Sequence, residues 1–445
     1  MKWDLAFIAA ATGGRAVGNT PVTRVVTDSR VARPGDLFVA IRGERFDGHT
    51  FSESAAQSGA SVMVEAGRVP AGVPGVEVPD TLAALATIAA CRRDEITAPV
   101  VAITGSSGKT TTKDLTAAAI GPGTHAAPHS YNNEVGVPIT VLDTPDDAIA
   151  VVVEVGSRGI GHIAALARIV RPDVAVITNI GKAHLEMFGD LDTVLEAKWE
   201  LIDTLGPSGV AVLPAADERL TRRRDGALVT FAEEADADVF VDEVVVDRYG
   251  RASFRMHHAG GTVALSMSLA GRHQPLNAAA AVAAAVAVGI DFEEAATRTA
   301  GATVSPWRME VQRRPVAGGV VVVVNDAYNA NPDSMAAAFA TVAAMPGRHV
   351  AVLGKMHELG DAEADLHRQV GLAAVESGFE VIVIVGDDPG IAAGAGAVAV
   401  TVGDVPAALA ALEVILRAGD VVLVKASRAA GLEGVADGIG GGVAA

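Results

Sequence analysis

The chain of 445 residues is longer than one hydrophobic core usually organises, so two or three domains are expected. Half of its residues are hydrophobic and only 4% aromatic, which leaves Ala, Val, Leu and Ile to build an interior of buried parallel strands packed against helices. A formal charge of −18 argues against nucleic acid as a partner, whereas a phosphorylated small molecule needs only local donors.

Met1-Lys2-Trp3-Asp4 lacks the basic start of a secretory signal, and no leader is expected. The first 97 residues mix short strands (Val22–Thr27, Asp36–Ile41) with helical pieces (Phe51–Ser58, Thr81–Ile96). The lone Cys91 rules out an intrachain disulfide, suits a cytoplasmic setting and reads as a small buried apolar residue of an Ala-rich helix. From Val100 a strand, loop and helix rhythm sets in, with strands at Ile149–Val155, Val174–Thr178, Val210–Leu213 and Leu228–Phe231 and helices at His162–Ile169 and Leu191–Leu205. Tyr131-Asn132-Asn133 leads through Gly136-Val137-Pro138 into an expected strand. Residues 238–269 alternate with period two around Tyr249-Gly250 and Gly260-Gly261, as an antiparallel element does. A helix over Leu276–Val288 follows, closed by Gly289.

The last third has a clean α/β rhythm, which predicts a small doubly wound domain. Its strands are Val320–Asn325, His349–Leu353, Val381–Val385 and Val421–Val424; its helices are Pro332–Met345, Asp365–Ser377, Pro406–Ala418 and Leu432–Ile439. The small-residue stretch Gly390–Ala399 fits a loop and strand. Boundaries near 97 and 312 divide the chain into 1–97, 98–312 and 313–445. The apolar segments at 277–290 and 316–324 are too short or too Gly-rich to cross a membrane, which takes about 20 apolar residues.

The densest chemistry lies in Val101–Leu115. A β-type run ends in a small Gly-containing loop, Thr104 to Gly108, that delivers Lys109 and Thr110 to the start of a helix. Backbone N–H groups and a helix N-terminus would converge there on a triphosphate, with Lys109 neutralising charge and the Thr110 hydroxyl free to ligate Mg²⁺. The general phosphate-loop pattern wants Gly at 103; this chain has Ile103 and a shortened Gly105-x-x-Gly108-Lys109-Thr110. Glu154 and His184 follow neighbouring strands, where ligands of open parallel sheets bind, and together they suit a Mg²⁺ and nucleotide centre. Alone, Glu154 is equally a solvated strand-end acid, His184 is more often a satisfied polar residue than a ligand, and Lys198 within its helix reads as a solvated face. Asn325-Asp326-Ala327-Tyr328-Asn329-Ala330-Asn331-Pro332 follows a strand and ends at a helix start, so turn and cap roles compete with ligand binding. Lys425-Ala426-Ser427-Arg428 suits an anionic group such as a carboxylate, or is a plain basic loop.

With these residues placed, the full length of the chain resembles the Mur ligase family. Thr27-Asp28-Ser29-Arg30, Pro34 to Ala40 and Gly43 to Phe51 resemble its UDP-sugar-binding domain. Thr104–Thr112 resembles its ATP loop, whose short form accounts for Ile103. Tyr131–Thr140, Thr178–His184 with Glu186, and Ala197-Lys198-x-Glu200 match central signatures; Tyr328 to Met335, Glu358-Leu359-Gly360 and His367 match the last domain. The resemblance implies an α/β protein of three domains: an N-terminal UDP-sugar domain, a central P-loop ATPase-like domain with a mostly parallel sheet, and a C-terminal Rossmann-like doubly wound domain.

It also implies an ATP-dependent amide ligase of peptidoglycan precursor synthesis that joins D-alanyl-D-alanine to UDP-N-acetylmuramoyl-tripeptide through an acyl phosphate. Expected catalytic groups are Lys109, Lys198, His184 and Glu154, with ATP held by Gly105, Ser106, Ser107, Gly108, Lys109, Thr110, Thr111, Asn277, Arg308, Asp326 and Tyr328. Substrate contacts fall on Ser29, Arg30, Phe46, Asp47, Asn132, Asn133, Asn329, Asn331, Lys425 and Ser427. Two Mg²⁺ ions would use Thr110, Glu154, His184 and a carbamylated Lys198. The resemblance implies a cytoplasmic monomer that neither binds nucleic acid nor spans a membrane. Departures from the family pattern are Lys355 in the Gly-x-Met-x-Glu-Leu-Gly motif, Ala426 for Gly, and Gln274 for Asn after His273. A sister ligase adding a single amino acid and a nucleotide-dependent regulatory module are the alternatives.

Overall fold

Val100–Thr104 is buried along its whole length, and its alternation sorts side chains between two layers. Val100 and Ala102 join one apolar core, Val101 and Ile103 the other; Val151 and Val153 against Ala150 and Val152 repeat the division on the next strand. The computed structural model describes residues 3–43, 46–181, 188–223 and 225–441. His184 and Glu186 lie outside the described residues.

The central sheet has nine strands, ordered Gly261–Ala270, Arg251–His258, Val239–Val246, Leu228–Glu233, Val210–Pro214, Val174–Ile177, Val100–Thr104, Ala150–Glu154 and Thr124–Ala126. It is parallel except for the last two strands in sequence, which add as antiparallel neighbours. The period-two segment is therefore a continuation of the nucleotide-type sheet. Helices Thr81–Glu95, Gly136–Leu142, His162–Val170 and Leu191–Asp203 cover one face, and Lys109–Ile120, Gln274–Ala287 and Phe292–Ala300 the other. Val100–Thr104 lies between Ala150–Glu154 and Val174–Ile177, so the connections leave it in opposite directions and open a crevice at its carboxyl end.

Before this unit, a five-stranded sheet (Arg15–Val17, Gly75–Val78, Ser61–Glu65, Asp36–Val39, Arg24–Val26) is parallel apart from its first strand. One apolar cluster runs from Val39 and Met63 through Leu85 and Ile88 to Val137 and Ile163, welding the first unit onto the second. The last unit is a six-stranded sheet, Glu310–Val316, Gly319–Asn325, Val421–Lys425, His349–Gly354, Phe379–Val385 and Ala399–Val402, parallel beyond its opening hairpin. Glu310–Val316 crosses the boundary expected near 312, because it pairs with Gly319–Asn325; a division before Glu310 keeps the hairpin whole. Among the described residues no helix is long and apolar enough to cross a membrane.

Two expectations are corrected. The β-branched run after Asn133 is the helix Gly136–Leu142, buried at every position, because the Asn133 side chain caps the N–H groups of Val135 and Gly136 and Pro138 sits in the first turn, where no N–H is needed. The stretch expected as loop and strand contains the helix Pro389–Ala395, with only Ala399–Val402 extended. Its small residues allow backbone contact with the helix Glu363–Glu376: a Cβ on Gly394 would stand 2.0 Å from the Arg368 carbonyl oxygen, and one on Gly371 would stand 2.3 Å from that of Ile391. Neither glycine is left-handed, so the requirement is space. Gly371→Leu is expected to push these helices apart at a cost of about 1–3 kcal/mol, read as a lower Tm in a thermal melt.

Candidate active site

The phosphate-type loop is set by two glycines. Gly105 has φ +155°, and a Cβ there would lie 1.8 Å from Thr178 Oγ1; Gly108, φ +76°, would meet Asn277 Oδ1 at 2.7 Å. The loop is tied to the neighbouring strand end: Asn179 Oδ1 accepts from Ser106 N at 3.1 Å and Ser107 N at 3.0 Å, and Thr178 Oγ1 donates to the Ser107 carbonyl at 2.6 Å. Those two loop N–H groups are thus used internally. The anion-facing donors are instead those of the first turn of Lys109–Ile120, whose Lys109, Thr110 and Thr111 N–H groups have no intrahelical partner. Lys109 Nζ donates to the Gly105 carbonyl at 2.8 Å. Burial pulls its ammonium below the usual lysine range, against the opposing pull of Glu154.

Four segments meet at Thr110. Its hydroxyl lies 2.6 Å from Glu154 Oε2, 2.6 Å from Ser130 Oγ and 2.7 Å from an Arg308 nitrogen that also reaches Ser130 Oγ at 2.7 Å. An ionised carboxylate only accepts, so Thr110 donates to Glu154 and receives from Ser130 and Arg308. Asn132 Nδ2 donates to the other Glu154 oxygen at 2.7 Å, whereas Asn133 serves as the helix cap described above. The Arg308 guanidinium lies 4.0 Å over the Tyr328 ring, joining this cluster to the last domain.

Lys198 is 2% exposed on Leu191–Asp203, and its side chain lines the same cavity. Burial, reinforced by the Lys109 charge, pulls its amine well below the ordinary lysine range. Glu200 faces elsewhere and caps His162–Val170 by accepting from Gly161 N and from Ala164 N at 2.9 Å.

The opposite wall belongs to the last domain. Lys425, 1% exposed, is committed to Asp326 at 2.5 Å and to the Asn329 carbonyl at 2.9 Å, and Asp326 also accepts from Met309 N at 3.1 Å. Ser427 Oγ accepts from His357 N at 3.0 Å. Asn331 caps Pro332–Ala343 while Asn329 Oδ1 accepts from Ala330 N, so the cap reading holds for Asn331 even though both residues line the cavity. Asn277 is oriented by Gln274, whose carbonyl accepts from it at 2.9 Å and whose amide donates to the Ala270 carbonyl at 3.2 Å. The departure from Asn at 274 is thereby accommodated.

The cavity between these walls measures about 560 Å³. It gathers every expected ATP contact except Gly105, the described catalytic groups and the six later substrate residues. Ser29, Arg30, Phe46 and Asp47 do not line it. Arg30 pairs with Asp28 at 2.6 Å, Ser29 opens a short helical turn, Phe46 is 73% exposed, and Asp47 holds His49 at 2.6 Å. Ser130, Arg158, His162, His273, Glu358 and Arg428 also line the cavity. Sequence reasoning places Arg428 in the basic run suited to an anion, and Glu358 and His273 within or beside family motifs without a role; it missed Ser130, Arg158 and His162, which approach only through tertiary structure. Among the described residues no cluster of three His, Cys, Asp or Glu side chains could hold a metal. Thr110 and Glu154 are nonetheless adjacent oxygen donors beside the phosphate-type loop, a set that suits Mg²⁺.

Residues 21–93, 103–285 and 307–428 match, in turn, the families described as "Mur ligase family, catalytic domain", "Mur ligase middle domain" and "Mur ligase, glutamate ligase domain". The chain is 38% identical to the UDP-N-acetylmuramoyl-tripeptide–D-alanyl-D-alanine ligase of Mycobacterium tuberculosis, across 98% of this chain and 97% of that protein. The crystal structure of MurF from Acinetobacter baumannii superposes with a TM-score of 0.88 at 31% identity, covering 99% of each chain. MurF from Thermotoga maritima, solved in complex with ADP, gives 0.82 at 28% identity over 94% of this chain and 97% of that one.

Gly105→Ala is expected to strain the loop by about 1–3 kcal/mol and to lower nucleotide affinity about tenfold in a calorimetric titration. A second expectation follows from Lys198. Its folded pKa lies below its unfolded one, so the unfolded chain binds the extra proton and stability rises with pH until the ordinary lysine value of about 10.4. Lys198→Met should therefore raise Tm most at low pH in CO2-free buffer, with the gain shrinking as pH rises.

Proposed function

The chain belongs to the Mur ligase family, and we propose that it joins D-alanyl-D-alanine to UDP-N-acetylmuramoyl-tripeptide at the expense of ATP. The observation that supports this reading best is the convergence on one cavity of a phosphate-type helix start, the Thr110–Glu154 oxygen pair and a third-domain wall. The first turn of Lys109–Ile120, Lys109 and Arg308 receive the triphosphate. The terminal peptide carboxylate of the muramoyl substrate attacks the γ-phosphorus, the bond to ADP breaks, and an acyl phosphate forms. The dipeptide amine then attacks the acyl carbon and phosphate leaves. A carboxylate resists amines until its oxygen becomes a stable leaving group, and phosphorylation supplies that.

Mg²⁺ would be held by Thr110, Glu154 and a carbamate on Lys198, with His184 as a further ligand; bound, it offsets repulsion between the carboxylate and the triphosphate. Lys198 suits carbamylation because burial beside Lys109 favours its uncharged amine, the form that adds to CO2. The resulting anion faces the Lys109 cation and would reverse an unfavourable pairing. The short turns at Ser29–Val31 and Gly48–Phe51, with exposed Arg30 and Phe46, supply the UDP-sugar contacts of the first domain. The enzyme acts as a monomer in the cytoplasm.

Phosphate release should require ATP, UDP-muramoyl-tripeptide and D-alanyl-D-alanine together. Turnover with free amino acids in place of the dipeptide, or no stimulation by the dipeptide, overturns the assignment. Lys198→Ala should lower kcat by about 100-fold, and short carboxylates should restore part of it.

A further inference from the structure

Four carboxylates line the cavity: Glu154, Asp326, Asp333 and Glu358. Glu154 is buried against Thr110 and Asn132, and Asp326 against Lys425. Asp333 lies in the first turn of Pro332–Ala343 with Oδ2 2.5 Å from where a Cβ on Gly181 would stand, so it abuts the central domain's backbone. Glu358 lines the cavity from the third-domain wall and is solvent-exposed.

Its loop is built to keep it there. Met356 and Leu359 on either side are 0% and 2% exposed and anchor in the third-domain core. Met356 N donates to His367 Nε2 at 3.0 Å, and His367 Nδ1 is held by Asp388 at 2.7 Å, both side chains buried. Ser427 grips the loop twice, its N–H donating to the Lys355 carbonyl at 3.1 Å and its hydroxyl accepting from His357 N at 3.0 Å. Against these anchors Glu358 itself adopts φ +64°, a left-handed conformation that a residue with a Cβ holds only when its surroundings impose it. The charge of Glu358 is felt by Lys109 across the cavity.

We propose that Glu358 receives the ammonium of the incoming dipeptide and takes its first proton. This assignment rests on the ligase reading above. The substrate must arrive as a cation and react as a neutral amine, and a carboxylate carried on an anchored loop of the third-domain wall does both jobs. Of the three ammonium protons, one passes to Glu358, one leaves with phosphate and one remains as the amide N–H. The new C–N bond forms as the C–O bond to phosphate breaks, its electron pair departing on the phosphate.

Hydroxylamine separates the steps, because it is uncharged at neutral pH and captures an acyl phosphate without any ammonium to be recognised. With ATP and UDP-muramoyl-tripeptide, Glu358→Gln should lower the ratio of dipeptide ligation to hydroxamate formation about tenfold or more, and should raise KM for D-alanyl-D-alanine but not for ATP. An unchanged ratio, or equal losses in both reactions, overturns the assignment. Wild-type protein that forms no hydroxamate overturns the ligase reading itself, and this assignment with it.

Discussion

A threonine hydroxyl has one proton and two lone pairs, and at Thr110 each is used by a different part of the chain. The proton goes to Glu154 at the end of a central strand, one lone pair to Ser130 in the loop that follows Thr124–Ala126, and the other to Arg308 in the linker. No single element can hold this arrangement, so the sheet order, the loop before Gly136–Leu142 and the third-domain entry must all be right together. It also explains why the phosphate-type helix starts where it does. With Asn179 occupying the loop N–H groups of Ser106 and Ser107, the first-turn donors are left at the cavity beside that hydroxyl.

Arg308 extends the constraint to the third domain. It is flanked by Trp307 at φ +62° and Met309 at φ +53°, two left-handed residues in three positions. Both are pinned from the last unit: Trp307 accepts from Tyr328 N at 3.2 Å and lies under Arg428 at 4.5 Å, and Met309 N donates to Asp326 at 3.1 Å. Local strain of this kind survives only where packing over-determines it. Here it directs the guanidinium back across the cavity, onto Thr110 and over Tyr328, so the linker is part of the site.

What was legible in the sequence followed from locality. The phosphate-type loop, the strand-end Glu154 and the alternating helices of the last third are short-range patterns, and they stand where the periodicity put them. Residues Gly136–Leu142 were not legible, since β-branched side chains favour a strand until burial on all sides and an Asn cap override the preference. The helix at Pro389–Ala395 escaped for the opposite reason: Gly and Ala weaken the local signal and are needed only because another helix crosses at backbone distance. Within the site, Ser130, Arg158 and His162 come from segments with no motif of their own, brought in by the tertiary fold. Lys425 shows the reverse error. A lysine after a strand looked available for an anion, but the partner that occupies it, Asp326, is 99 residues away in sequence.

The overall charge of −18 and an anion-binding cavity are compatible because the two act over different distances. Surface carboxylates are screened beyond about 8 Å at physiological ionic strength, whereas groups sealed inside the cavity are not. There the chain assembles Lys109, Arg308 and a helix N-terminus, with Arg308 held on Thr110 and Lys425 on Asp326. Lys198 is the exception, because burial and the Lys109 charge both act against its proton and pull its amine well below the ordinary lysine range. A site built only to bind phosphate would gain from that proton. That direction suits the carbamylated, metal-assisted site proposed above better than a simple nucleotide pocket.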